Sequence, residues 1–178
     1  MQSAASGRAG SGHALEIVPF RPDLRRDVLD LIVGIQRDEF GIDISAEQQP
    51  DLHDIPGFYQ VGNGNFWVAL AGGRVVGTIS LLDIGNHQGA LRKMFVHPEF
   101  RGAHHGTATR LLDTLLDQAR HHEVREIFLG TTAKFLAAHR FYEKHGFSEI
   151  ARSALPPAFP IMNVDTRFFH RPVEAAGG

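Results

Sequence analysis

The sequence predicts an α/β (mixed α+β) fold: one mixed, mostly antiparallel sheet of about seven strands with flanking helices. Three observations lead there. Residues 65–96 read as a meander of strand-like runs joined by turn-forming residues. Residues 90–132 then read strand–helix–strand, with the length of a right-handed parallel crossover. The length of 178 residues and an apolar share of 43% suit one compact domain.

The elements follow in order. Residues 1–14 are small, polar and glycine-rich, which predicts a flexible tail ahead of a single domain over 15–178. Leu15–Phe20 alternates and reads as a short strand. Pro22 and Asp23 open a helix with Leu24, Val28, Leu31, Ile32 and Ile35 on one face, ended by Gly41. Residues 42–64 read as loops and a short helix. Asn65–Ala71 and Arg74–Leu82 flank Gly72-Gly73, a two-residue hairpin signal. Asp83–Gly89 reads as a turn, and Ala90–Val96 as the third strand, stopped by Pro98. Thr107–His122 carries Ala108, Leu111, Leu112, Leu115, Leu116 and Ala119 at helical spacing. Val124–Thr132 is a strand, Lys134–His145 a helix with Gly146 as its stop, and Phe147–Ala151 and Ile161–Phe169 the last two strands.

Composition removes several classes of function. Eighteen Lys and Arg against 20 Asp and Glu give a formal charge of -2, not the basic balance of a nucleic-acid binder. No stretch approaches the ~20 apolar residues of a membrane span, and no signal-peptide core is evident, so a cytoplasmic protein is expected. The absence of cysteine excludes a disulfide scaffold and a thiol nucleophile. Histidine occurs 11 times, but His104-His105 and His121-His122 are adjacent pairs. Neighbours on a helix point apart, unlike the i, i+4 pair of a zinc site, so no metal is expected.

The chemistry-bearing segment is Arg101–Ala108, RGAHHGTA, between a strand and the clearest helix. A helix N-terminus offers free amides and a positive dipole end, so a loop there can cradle a phosphate. Gly102 and Gly106 permit close backbone approach, and Arg101 adds a charged donor. It is neither a Rossmann fingerprint nor a P-loop. On spacing alone it is also a plain glycine-containing connection.

The stretch LRKMFVHPEFRGAHHGTATRLL, followed by FLAAHRFYEKHGF, resembles the GNAT superfamily of N-acetyltransferases. The resemblance runs over residues 15–170 in element order and is strongest from Leu91 to Phe147. It implies acetyl-CoA as acyl donor. Its pyrophosphate would lie on the amides of Arg101, Gly102, Ala103, His104, His105, Gly106 and Thr107, and its pantetheine arm along Phe95 and Val96. His104 stands where the family carries its middle glycine. In the second stretch Ala138, Phe141, Tyr142, Gly146 and Phe147 match the family pattern, whereas Phe135 stands where asparagine is expected.

The resemblance further implies direct attack of a neutral amine on the thioester. Tyr142 is the candidate acid for the leaving thiolate; read from spacing alone, it is also a packing aromatic. A backbone N–H near Phe95 or Val96 would polarise the carbonyl. Relatives often carry a glutamate where this chain has Ala90, so the base is open between Asp83, His87 and a water chain. On the acceptor side, Glu47, Asp51 and Asp54 are candidates to attract a cationic amine. The acceptor is expected to be a small-molecule amine or a protein amino group, and a homodimer is common among relatives. A non-catalytic acyl-CoA sensor is the competing reading, motivated by Ala90 and His104.

Overall fold

The computed structural model describes residues 14–133 and 136–175. The expected tail, apart from Ala14, and the Phe135 departure lie outside the described residues. Seven strands form one sheet in the order β1-β2-β3-β4-β5-β7-β6. They are β1 Leu15–Pro19, β2 Asn65–Ala71, β3 Arg74–Gly85, β4 Gln88–Val96, β5 Glu126–Thr131, β6 Ser148–Ile150 and β7 Arg167–Pro172. Only β4 and β5 pair in parallel. The helices are α1 Arg25–Asp38, α2 Ile55–Phe58, α3 Thr107–His121 and α4 Leu136–Lys144.

Strand alternation sorts the core into two layers. On β2, Phe66, Val68 and Leu70 pack with Val28 and Ile32 of α1 and Ile55 of α2. Trp67, Ala69 and Ala71 face the other way, onto Leu111, Leu112, Leu115 and Ala119 of α3. This explains why FWVALA, residues 66–71, is apolar throughout: both of its faces are covered. Gly77 on β3 lets α3 sit close, since a Cβ there would lie 3.0 Å from Leu111 Cδ1. A smaller cluster of Ala90, Phe128, Phe159 and Phe168 closes the α1 side of the sheet beneath the loop after β6.

Two boundaries differ most from the sequence reading. The Asp83–Gly89 turn shrinks to Asn86-His87, at φ +53° and +60°, so β3 and β4 extend to a tight hairpin. The final strand starts at Arg167, not Ile161. Residues 161–166 form a turn instead, in which the Met162 N–H donates to Asp165 Oδ2 at 2.9 Å and the Asp165 N–H to Met162 O at 3.0 Å. The fourth helix is described from Leu136, with Gly146 at φ +91° ending it as expected.

Candidate active site

The parallel ladder between β4 and β5 ends early. Its pairs run only from Gln88–Glu126 to Ala90–Phe128. Beyond that point the strands diverge and open a cleft of about 640 Å³. Its walls are Leu91–Phe95 of β4, Leu129–Thr132 at the end of β5, the Ala138 and Tyr142 face of α4, and loops from the α1 side. The β4 backbone facing β5 has no ladder partner in the splay among the described residues, which leaves it open to an extended ligand.

A bulge shapes β4 inside this cleft. Thr78 pairs with Phe95 and Ser80 with Arg92, so two steps on β3 face three on β4. Lys93 absorbs the extra residue at φ +53°, an uncommon setting for a side-chain-bearing residue. Two fully buried hydroxyls hold it: Thr78 Oγ1 donates to Lys93 O and Ser80 Oγ to Arg92 O, both at 2.7 Å.

At the α3 end lies the loop singled out in the sequence. Gly102 and Gly106 are at φ +102° and +66°, and the amides of His105 and Gly106 bond back to Gly102 O at 3.1 and 3.3 Å. The first α-helical bond is Arg110 N–H onto Gly106 O at 3.0 Å. Helix geometry leaves the amides of Thr107, Ala108 and Thr109 without an intrahelical acceptor. Gly106 as N-cap supplies no side chain to satisfy them. The Thr107 hydroxyl is buried without a hydrogen-bond partner among the described residues. An uncapped, positively polarised helix end fits a pyrophosphate. The His104 ring lies against Gly102, its centroid 4.0 Å from that of His105 with the two planes tilted by 44°. Arg101 departs from the expected direct phosphate contact. Its guanidinium donates two hydrogen bonds to the Glu39 carboxylate just past the end of α1, 2.7 Å on each arm, and a third to Val96 O at 2.8 Å. It clamps the loop to the sheet.

Tyr142 reaches the splay from α4. Its ring packs on Phe147 and Phe169, and among the described residues its hydroxyl meets only the Met94 sulfur, at 3.7 Å, a weak acceptor. Burial raises its pKa well above the ordinary tyrosine value, so the phenol stays protonated and able to donate.

Of the carboxylates expected to face an acceptor, only Asp51 lines the cleft. Asp51 is buried in the cleft, but it is internally paired. It accepts the Tyr59 hydroxyl at 2.6 Å and lies 3.4 Å from Lys93 Nζ and 3.8 Å from Arg92 Nη2. Glu47 is exposed outside the cleft, where hydrogen bonds to its own turn backbone and Ser45 hold its carboxyl below the usual value. Asp54 caps α2 through the Gly57 N–H. Asp83 and His87, the expected base candidates, lie outside the cleft lining. Asp83 accepts the Asn63 and Gly85 amides, and His87 sits at the hairpin tip against Glu123 O, at the far end of β4. Sequence reasoning missed Arg92, Lys93 and Asp165, which the cleft brings together. Two adjacent cations within an otherwise apolar strand were the available signal for the first two; Asp165 had none. Among the described residues no three His, Asp or Glu side chains are grouped to hold a metal. Nor is any described helix long and apolar enough to cross a membrane.

Comparison with known proteins agrees with this geometry. Residues 29–147 match the model of the acetyltransferase (GNAT) family. An acetyltransferase of the GNAT family from Staphylococcus aureus Mu50 superposes with a TM-score of 0.86 at 36% identity, over 90% of this chain and 100% of that one. An acetyltransferase from Streptococcus agalactiae gives 0.84 at 32% identity, over 89% and 98%. An N-acetylaspartate synthetase from Xenopus tropicalis is 38% identical over 104 residues, 56% of this chain and 37% of that protein. The chain thus spans little more than a third of that relative's length. A splayed β4–β5 pair, an uncapped α3 behind a glycine loop and a family match over two thirds of the sequence converge: the chain belongs to the acetyltransferase (GNAT) family.

Proposed function

We propose that the protein is an acetyl-CoA-dependent N-acetyltransferase that acetylates a primary amine by direct attack. The observation that carries this is the occurrence of two features on either side of the β4 end: the Tyr142 hydroxyl in the splayed cleft and the uncapped amides of Thr107–Thr109 at the start of α3, the helix that follows β4. In this reading the Gly102–Thr107 loop holds the pyrophosphate, with Arg101 and Glu39 keeping the loop against β4. Bound acetyl-CoA supplies the activated thioester. The unpaired edge of β4 receives an extended arm as a further strand would. Tyr142, kept protonated by its burial, gives a proton to the departing sulfur. The named activity of the N-acetylaspartate synthetase relatives supports an amine acceptor.

The test is thiol release from acetyl-CoA over a panel of amines, with Tyr142→Phe alongside and CoA affinity measured by calorimetry. Turnover that depends on Tyr142 supports the enzyme. Tight CoA binding with no turnover on any amine replaces it with a non-catalytic acyl-CoA sensor.

A further inference from the structure

The two cations of the β4 bulge differ in how well they are satisfied. Lys93 Nζ donates to Gln49 Oε1 at 2.7 Å and lies 3.4 Å from Asp51. Gln49 is fixed in turn by a reciprocal amide pair with Gln36, at 2.9 and 3.1 Å. Lys93, Asp51, Tyr59 and the two glutamines therefore close on one another. Arg92 stands apart. Its side chain is 13% exposed, and its guanidinium lies 5.7 Å from the Phe58 ring centroid and 6.0 Å from that of Tyr59. Among the described residues its donors meet only the Met162 sulfur at 3.6 Å and the distant Asp51 oxygen at 3.8 Å. A guanidinium is a planar fork matched to two carboxylate oxygens, and this one has no such partner.

Asp165 is the complementary group. It lines the same cleft over β5, where Gly130 makes room: a Cβ there would lie 2.5 Å from Asp165 Oδ2. Among the described residues its one hydrogen-bond donor is the Met162 N–H. Burial raises its pKa above the usual aspartate value, while the Arg92 charge pulls the other way. With Lys93 and Asp51 paired internally, one cation and one carboxylate remain for a ligand. The mouth beside them exposes Phe58, Met162 and Val164, an apolar rim on the cleft.

We propose that the acceptor is a free amino acid with an apolar side chain, its carboxylate seated on Arg92 and its ammonium facing Asp165. This rests on the acetyl-transfer reading above. A polyamine would bring a cation to Arg92 with no anion to match it, and a protein amino terminus lacks the adjacent free carboxylate. Asp165 accepts one proton from the ammonium and releases it to solvent. The freed amine forms the C–N bond at the acetyl carbon as the C–S bond breaks. Tyr142 protonates the sulfur and is restored by the second proton from nitrogen. The sum is ammonium plus thioester giving amide, thiol and one proton.

The experiment pairs turnover with binding. Thiol release is measured with acetyl-CoA on L-leucine, L-methionine, L-phenylalanine, their C-terminal amides, L-aspartate and spermidine. Binding of the same compounds to the CoA-saturated protein is measured by calorimetry. The apolar free acids are expected to exceed their amides about 10- to 100-fold in kcat/KM, the worth of a charge-assisted carboxylate contact. Arg92→Gln should abolish that difference with CoA affinity unchanged, and Arg92→Lys, which keeps charge but loses the fork, should restore part of it. Amides or spermidine acetylated as well as the acids would overturn the carboxylate seat and leave acetyl transfer standing. A preference for aspartate would overturn the apolar side chain. Arg92-dependent binding of the acids without turnover would uphold the seat and overturn the enzyme, and neither binding nor turnover would overturn both.

Discussion

Replacing Tyr142 by Phe removes one oxygen and leaves the ring on Phe147 and Phe169. The hydroxyl's partner is a thioether at 3.7 Å, so the stability lost is that of a weak bond, below about 1 kcal/mol. For a chain of this size that corresponds to a shift of about 2–4 °C or less in Tm. Catalysis responds on another scale. Loss of a positioned general acid costs about 100- to 10,000-fold in rate, roughly 2.7–5.5 kcal/mol of barrier. The assay is kcat at saturating acetyl-CoA and acceptor, with Tm and CoA affinity on the same preparation. The wild-type rate should also hold through pH 10, where an ordinary tyrosine begins to lose its proton, because burial moves this phenol's pKa upward. A Tyr142→Phe enzyme within threefold of wild-type kcat would refute the acid role and leave Tyr142 as a packing residue.

Other perturbations give separate readouts. Glu39→Gln breaks the double contact to Arg101 and loosens the phosphate loop; calorimetry should show CoA binding weakened about fivefold, with stability changed by less than about 1 kcal/mol because the pair is partly exposed. Asp51→Asn leaves Lys93 buried without its carboxylate and should cost about 3 kcal/mol in denaturant unfolding. Leu115→Ala, at a fully buried α3 position, should cost about 2–5 kcal/mol in the same measurement. If Asp165 takes the acceptor's proton, it must be ionised, so kcat/KM should rise with pH through its raised pKa, above the ordinary aspartate range. Asp165→Asn should flatten that limb; an unchanged limb assigns it to another group.

The order of elements was legible because each obeys a local rule. Leucine spacing in α3, turn chemistry at Gly72-Gly73 and the stop at Gly146 all hold in the structure. The last strand was misplaced because Ile161, Met162 and Val164 look like strand residues. They are instead exposed beside the cleft, while Phe168 and Phe169 fill the core. The glycine loop before α3 and the position of Tyr142 on α4 were legible because contiguous motifs carry them. Arg92 and Lys93 were not, because an alternating strand sends neighbours to opposite faces and only the bulge turns both toward Asp51. Asp165 depends on a loop crossing β5, a contact that no local pattern encodes.

The bulge has one more consequence, for parity. Before it, Leu91 packs with the α3 layer; after it, Met94 and Val96 do, while Phe95 turns to the α1 layer. A strand of uniform alternation would send Met94 to the side opposite Leu91. The extra residue at Lys93 therefore brings Met94 to the Tyr142 hydroxyl and gives Phe95 to the α1 layer. Deleting a single residue there would exchange the α1-facing and α3-facing side chains along the rest of β4. The length of this strand is thus fixed from β3, by the hydroxyls of Thr78 and Ser80.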